Sequence, residues 1–417
     1  MKFIDLCCGI GGFHYALKNM NFECVMACDI DKECRKNYEQ NHNIKPGGDI
    51  TKIKIDTIPD FDILCAGFPC VSFSKAGKQK GFEDKRGHIF FDICNIIKHH
   101  HPKYIILENV RNLSTHDKGN TWNIIKDNLD ELNYYTYKNP IILNTLDFGI
   151  PQSRERVVIL CKRKDLGELP LLPLKNCRKN KKINLSTIID NDNKDENKKK
   201  YSLSTKLKKT EEIWSEFLNI CNENEISIPK YPIWTDWWDS DGENTTVTKY
   251  DNNYSKEENE VRIKKSQKEF YNKYKNWIDK NRNFYETYHS FLKPWIIKSR
   301  KEPLWKGSVR KMEWQTGKNN LNMNQVLWSP RGSGVRIKNL DYSPTLVAMT
   351  SMIPIYGPES RYLTPLECSR LQSFPDDYII HENDKVAYKQ FGNAVNVVMI
   401  ERSARFLIYN EPLFIDD

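Results

Sequence analysis

Residues 2–13, Lys2-Phe3-Ile4-Asp5-Leu6-Cys7-Cys8-Gly9-Ile10-Gly11-Gly12-Phe13, hold the pattern from which the fold is read. Phe3–Leu6 is an apolar run of strand length with one acid inside it, and Gly9, Gly11 and Gly12 end it. The stretch that follows, Phe13–Lys18, predicts a helix. Glycines between a strand and a helix N-terminus let a ligand come close to backbone amides, because no Cβ stands in the way. A second strand is expected over Cys24–Cys28, and it runs into Asp29-Ile30-Asp31. An acid at that strand's end, roughly 20 residues beyond the glycines, is where a nucleotide's ribose hydroxyls are held. The alternative is a tight turn followed by a surface acid. Because the pattern is G-x-G-G and not G-x-G-x-x-G, it is the glycines and the acid together that favour a nucleoside-bearing cofactor.

Strand–helix alternation continues outward from there. Gly48-Asp49-Ile50 follows a helix-like segment and offers a third contact. Phe61-Asp62-Ile63-Leu64-Cys65-Ala66 reads as a buried strand that ends in Gly67-Phe68-Pro69-Cys70. Cys70 has two readings. A cysteine near a strand is commonly a small buried hydrophobe; at a strand's carboxyl end in an open α/β sheet it is also a candidate nucleophile. Residues 71–88 form a long polar loop, the kind that serves as a lid or binding loop or is disordered. Ile89–Ile97 predicts a helix and Tyr104–Leu107 a strand ending at Glu108-Asn109-Val110, which shares a rim with Cys70 if the strands are parallel. Further strands are expected within Tyr134–Leu143 and Arg156–Cys161. Gln152-Ser153-Arg154-Glu155-Arg156 precedes the second, with arginines at alternating positions on one face.

Composition bounds the rest. A chain of 417 residues accommodates two domains, and its net charge of +9 suits a polyanionic partner. The N-terminus lacks the pattern of a signal peptide, and no apolar stretch reaches membrane-spanning length. The twelve cysteines show no zinc spacing, which predicts reduced thiols, no metal and a cytoplasmic location.

After Lys164 the composition changes. An extended Leu169–Leu174 segment precedes basic and low-complexity runs at 178–182, 191–200 and 206–209, and the Asn/Asp/Lys stretch at 190–200 reads as a solvated or disordered loop. Tyr231–Trp238 is an aromatic block that suits either core or contact. Residues 256–300 predict helix, with an aromatic stripe (Phe270, Tyr274, Trp277, Phe284, Tyr288, Phe291, Trp295) expected to pack into this region's own core.

Taken together, these residues resemble the DNA (cytosine-5)-methyltransferase family of bacterial restriction–modification type. Phe3–Phe13 looks like its cofactor motif, Gly67–Cys70 its nucleophile motif, Glu108–Val110 its glutamate motif and Gln152–Arg156 its paired-arginine motif. Arg361–Cys368 with Leu371–Pro375, and Gln390–Val395, are similar to the two last motifs, in family order. Val71 departs from the Gln that many members carry after the nucleophile, which removes a polar contact to DNA but not the chemistry.

The resemblance implies an α/β, Rossmann-like S-adenosylmethionine-dependent methyltransferase fold with a second, smaller target recognition domain. The divisions are then a catalytic and cofactor-binding part at 1–165, a recognition domain at 166–357 and a segment at 358–417 that completes the catalytic domain. It implies S-adenosyl-L-methionine as cofactor, held by Asp5, Gly9, Gly11, Phe13, Asp29, Ile30, Asp49, Ile50, Phe68, Asn393 and Val395. Phe13 would stack on the adenine, Asp29 bind the ribose, Ile30 pack on the base and Asp49 meet the adenine amine. Cys70, Glu108, Arg154 and Arg156 would be catalytic, adding a thiolate to C6 of a flipped-out cytosine in duplex DNA and steadying the base. Ser74, Arg331, Arg336 and Thr345 would contact DNA. Pro330–Arg336 is a candidate base-reading loop, since arginine is the commonest reader of guanine, and it is equally a hairpin turn. Thr345-Leu346 is similar to the family's short signature in that region. The expected protein is a monomer at the nucleoid, an orphan methylase or one paired with a restriction endonuclease that acts on the same site without a stable complex. Methylation of tRNA cytosine and an inactive DNA-binding regulator are the alternatives.

Overall fold

The computed structural model describes residues 1–68, 89–173, 183–190, 199–238, 253–317 and 321–414, so Cys70, Val71 and Ser74 lie outside the described residues. The chain forms two compact units, one from Met1–Asp192, Asp341–Thr350 and Thr364–Asp417, the other from Asn193–Leu340 and Ser351–Leu363. These borders differ from the expected ones at 165/166 and 357/358. Leu185 and Ile188 are buried, and the Asp190 amide donates to Glu367 Oε1, within the first unit. Among the described residues no helix is long and apolar enough to cross a membrane.

The first unit is built on a sheet of β1 (Lys2–Leu6), β2 (Glu23–Cys28), β3 (Ile63–Gly67), β4 (Tyr104–Val110), β5 (Tyr134–Thr136), β6 (Ile141–Asn144) and β8 (Glu155–Arg163). Two residues, β7 (Gln152–Ser153), precede β8 outside this sheet. Helices α1 (Gly12–Lys18), α2 (Lys32–His42), α3 (Ile89–His100) and α4 (Asn120–Glu131) connect the strands. The order is β2-β1-β3-β4-β8-β5, with β6 also on β8. β2, β1, β3 and β4 are parallel, while β8 runs antiparallel to β4, β5 and β6. From β1 the chain steps out to β2, then crosses back over β1 to β3. The order therefore reverses between β1 and β3, and ligands of open α/β sheets bind at the carboxyl ends beside such a reversal.

Side-chain alternation along β1 sorts the two faces. Ile4 and Leu6 enter a core with Leu64, Ala66, Ile93, Ile97, Ile105 and Leu107, all but fully buried. Phe3 points the other way, its ring 5.6 Å from that of His14 on α1.

The second unit packs α5 (Thr205–Glu223), α6 (Lys256–Thr287) and α7 (His289–Arg300) with a sheet that includes β9 (Ile233–Trp234), β10 (Lys311–Gln315), β11 (Leu327–Arg331) and β12 (Gly334–Lys338). Its core is aromatic. Trp214 and Trp305 lie edge to face at 5.1 Å, and Trp238 stacks on Tyr285 at 5.1 Å, the offset and edge geometries that ring quadrupoles favour. Of the Trp block, Trp237 and Trp238 are core while Trp234 is half-buried. The helical stripe is divided too: Phe284 and Trp295 are buried, but Trp277 and Phe291 remain 46% and 45% exposed. Helical period alone does not separate them, because Trp277 and Phe284 share one face of α6 and Phe291 and Trp295 lie one turn apart on α7.

The chain then returns to the first unit. β13 (Ser343–Pro344) pairs with β7, and α8 (Pro365–Leu371), α9 (Asp384–Asn393) and α10 (Val397–Tyr409) follow. Thr364 and Glu367 form a reciprocal capping box that starts α8, the reason for the Thr-Pro-Leu-Glu spacing.

Candidate active site

A cavity of about 340 Å3 lies where the topology places it. Its walls are the Cys7–Gly9 turn after β1, Asp29 and Ile30 after β2, Phe68 after β3, Glu108 and Asn109 at the end of β4, and Asn393–Val395 after α9. The turn depends on its glycines: Gly9 and Gly11 have φ of 53° and 88°, in the left-handed region. Gly12 is required for a different reason. A Cβ there would stand 2.6 Å from Cγ2 and 2.7 Å from the carbonyl oxygen of Val395. The C-terminal segment therefore closes directly on the first turn, and Phe13, Ile50, Phe68 and Val395 supply apolar wall.

The acids divide by role. Asp31 caps α2, accepting from Glu33 N and Cys34 N, and pairs with Lys389 at 2.9 Å. Asp29 accepts from Gly9 N at 2.8 Å and Asp31 N at 2.7 Å, and burial raises its carboxyl above the usual range. It thus braces the glycine turn and still faces the cavity. Ile30 is 75% exposed on the rim. Asp49 reaches the rim because Gly47 bridges to Cys28, extending the sheet edge. Its Oδ1 accepts from Thr51 N and Oγ1, which hold the carboxyl below the usual range.

Asp5 and Gly11, expected to touch the cofactor, do not line the cavity. Gly11 instead packs on the ring of His42. Asp5 lies on the far face of β1, fully buried, with no aligned donor to either oxygen among the described residues. Burial first, and then the charge of Asp29, raises its carboxyl well above the usual range. The folded chain therefore holds this proton more tightly than the unfolded chain does. The associated stability is complete below the unfolded value of about 4 and is lost as pH rises above it toward the folded value. Asp5→Asn, which cannot ionise, should gain in melting temperature relative to the parent between pH 4 and pH 7. Thermal unfolding of both proteins at the two pH values checks this; an unchanging difference would refute a buried neutral Asp5.

Four thiols line the cavity, those of Cys7, Cys8, Cys28 and Cys34. Burial pushes all of them up, Cys28 to about 12, so none is poised as a thiolate.

On the β3–β4 side, Gly67 pairs in register with Glu108. Glu108 is 8% exposed, and Arg156 Nε lies 2.8 Å from its Oε1, close as an ion pair but not aligned as a hydrogen bond. Burial raises the carboxyl above its usual range, against the lowering effect of Arg156 and then Arg154. The two arginines part company here. Arg154 is 1% exposed, its Nη1 donating to Leu346 O at 3.0 Å and its Nη2 to Ala394 O at 2.7 Å and Gly392 O at 3.2 Å. Arg154 lines the cavity with Glu108 and Arg156, and it also has a structural task. Its guanidinium fastens the two returning segments to β8 and so sets the position of the Asn393–Val395 wall.

Several residues were quoted in motifs without a role, and the structure gives them one. Gln152 is fully buried, donating to Leu371 O at 2.9 Å and accepting from Leu346 N at 3.0 Å. Gln372 donates to Phe391 O at 2.6 Å, and Asn396, one residue past the last motif, caps α10 through Met399 N. Asn109 Nδ2 donates to Phe68 O at 3.3 Å, tying the end of β3 to β4. Polar residues inside apolar motifs were the available signal, since buried amides must find backbone partners.

The expected DNA contacts are separated as well. Thr345 belongs to the first unit, where its Oγ1 donates to Ser153 O at 2.6 Å. Pro330–Arg336 is a hairpin, with Gly332 and Ser333 as its two-residue turn. Arg336 is held by Glu313, both Nε and Nη2 at 2.9 Å from Oε2, while Arg331 makes only a long 3.5 Å contact to Ser329 Oγ among the described residues.

Comparison with known proteins gives a consistent answer. The profile of C-5 cytosine-specific DNA methylases matches residues 1–408. The chain is similar to the Type II methyltransferase M.HhaI of Haemophilus parahaemolyticus, 31% identical over 410 residues that cover 98% of this chain and 94% of that protein. It is 33% identical over 432 residues to the Type II methyltransferase M.BanI of Aneurinibacillus aneurinilyticus, covering 98% and 96%. Among solved structures, the S. pombe Dnmt2 methyltransferase covers 98% of this chain and 99% of its own at a TM-score of 0.52 and 17% identity, a likeness of fold. The chain belongs to the C-5 cytosine-specific DNA methylase family and is a DNA (cytosine-5-)-methyltransferase.

Proposed function

We propose that this enzyme methylates C5 of a flipped-out cytosine within a specific sequence of duplex DNA, using S-adenosyl-L-methionine and a transient bond between Cys70 and C6. The observation that carries the reading is the register of β3 and β4. Gly67, three residues before Cys70 in sequence, stands beside Glu108, a buried carboxyl with a raised affinity for its proton.

The cavity's donor set fits the cofactor. Asp29 and Asp49 suit ribose hydroxyls and an adenine amine, and Phe13, Ile50, Phe68 and Val395 suit a flat base and an apolar chain. The bound cofactor supplies an electrophilic methyl group. The chain's own residues do the rest. Cytosine C5 is a poor nucleophile until a thiolate adds at C6 and pushes electron density onto C5. Glu108 donates its proton to ring N3 during that addition, so that no bare negative charge builds on the ring, and Arg156 orients the carboxyl. After transfer, the C5 proton leaves to solvent and its electron pair expels the C6–S bond as thiolate, while N3 returns its proton to the Glu108 carboxylate, which restores the neutral aromatic ring. The target cannot be reached inside a stack, and its extrusion costs about a few kcal/mol.

The resemblance to Type II methyltransferases supports a place in restriction–modification, as a monomer that shares its site with a nuclease or acts alone. Incubating the protein with S-adenosylmethionine and either plasmid DNA or tRNA, followed by bisulfite sequencing, tests the reading. 5-Methylcytosine at one sequence motif in DNA is the expected product; modification of tRNA alone would overturn it.

A further inference from the structure

The glycine turn after β1 has an open front and a filled back. Gly9 lines the cavity, and a Cβ there would meet nothing within 4 Å. At Gly11, two residues on, a Cβ would stand 2.1 Å from His42 Nε2 and 2.9 Å from its Cδ2. His42 is the last residue of α2, and its ring fills the hollow that the missing Cβ leaves. The ring is itself locked in place. It stacks on His14 of α1 at 3.8 Å and 19°, with the rings of Tyr38 and Tyr15 at 4.5 Å and 4.8 Å. His14 Nδ1 lies in turn 2.8 Å from the Tyr38 hydroxyl. Burial, and then the charges of His14 and Lys18, lowers His42 to about 3, against a smaller opposing pull from the Ile10 backbone. The ring is therefore neutral at pH 7, and neither of its buried nitrogens has an aligned partner among the described residues. It acts by shape.

We propose that His42 is a positioning residue for the cofactor, its ring wedged behind Gly11 to hold the turn in the left-handed conformation that opens Gly9 to the cavity. This rests on the reading of S-adenosyl-L-methionine as the ligand of that cavity. A turn with glycine at 9, 11 and 12 is loose on its own, because glycine takes positive and negative φ about equally. Each glycine is fixed from outside by a different group. The Asp29 carboxylate accepts from Gly9 N, Val395 closes on Gly12, and at Gly11 the near neighbour beyond the turn is the His42 ring. Without that ring the φ of 88° at Gly11 has nothing behind it, and binding must pay to order the turn.

The test is calorimetric titration of S-adenosylmethionine into each variant, below the melting temperature found for that variant by thermal unfolding. His42→Ala removes the ring. His42→Leu keeps most of the apolar bulk but has no atom in the place of Nε2. Both should bind the cofactor about 5- to 30-fold more weakly, the cost of fixing one residue's backbone on binding. Duplex affinity and kcat at saturating cofactor should be unchanged while KM for the cofactor rises. His42→Phe presents a flat ring at the same place and should stay within about threefold of the parent. Gly11→Ala should weaken the cofactor severely in the parent, through both its φ and its collision with His42. In the His42→Leu background only the φ strain is left, so that loss should shrink by about tenfold, within the usual coupling of touching residues. A lowered melting temperature with unchanged cofactor affinity in the alanine and leucine variants would reduce His42 to packing and overturn the proposal. An equal Gly11→Ala loss in both backgrounds would overturn it too, as would a loss in His42→Phe as large as in His42→Ala. Failure of the parent to bind S-adenosylmethionine would instead overturn the reading on which this rests.

Discussion

Cys70→Ala should reduce methyl transfer to duplex DNA by on the order of 10^4-fold or more, the scale seen when a covalent nucleophile is removed. The expectation follows from the alternatives at this site. The four described thiols that line the cavity are all held protonated by burial, so none of them supplies an anion. Cys70 comes three residues after Gly67, whose strand partner is Glu108. A free cysteine is only a few per cent thiolate at neutral pH, so the site must assist its ionisation. Affinity for DNA and cofactor should persist in the variant, since alanine removes only the sulfur. A duplex with 5-fluorocytosine at the target should trap the parent enzyme: after methyl transfer C5 carries fluorine in place of a proton, and the C6–S bond cannot be released. The trapped band on a denaturing gel should vanish with Cys70→Ala. Full activity in that variant, or a trapped band that persists, would remove Cys70 from the mechanism.

The rim of this site was legible because its cues are local. Strand length, a glycine turn and an acid at the next strand's end are all read within about 30 residues, and β1, β2, β3 and β4 form where those cues put them. Parallel pairing of β3 with β4 then brings Gly67 and Glu108 together, as the alternation of strand and helix implied. Arg154 was not legible in the same way. Its partners Leu346, Gly392 and Ala394 lie 192, 238 and 240 residues away, and backbone carbonyls leave no signature in sequence. The same holds for Asp5, which the motif put among the cofactor contacts and the structure puts outside the cavity lining.

The second unit was harder to read, for reasons its residues make plain. Trp238 and Trp234 are four residues apart in one block, yet one stacks on Tyr285 inside the core and the other lies under Lys311 at the sheet edge. An aromatic residue suits both settings, so composition does not choose between them. Arg331 and Arg336 looked equivalent in sequence as the flanks of one glycine-containing loop. Only the parallel register of β10 with β12 put Glu313 beside Arg336 and made the two different.

Glu108→Gln should lower the rate of methyl transfer by about 10²- to 10⁴-fold, the usual contribution of a general acid or base. The variant keeps the shape of the side chain and can still donate from its amide, but it has no proton to transfer. Burial raises the Glu108 carboxyl above its usual range even with Arg156 2.8 Å away, so desolvation outweighs the ion pair here. The sign of the pH dependence follows. If the protonated acid is the active form, the turnover rate of the parent should fall as pH rises through the folded value of Glu108. Rising thiolate at Cys70 acts in the opposite sense, so the parent should show a bell and the variant only its ascending limb. Single-turnover rates across pH 5–9 for both proteins, with DNA affinity measured in parallel, separate this role from a binding role. Should Glu108→Gln turn over within about threefold of the parent, or retain the descending limb, N3 protonation must come from another group. The first place to look would then be water held between Arg156 and the base, because Arg154 commits Nη1 and Nη2 to backbone carbonyls.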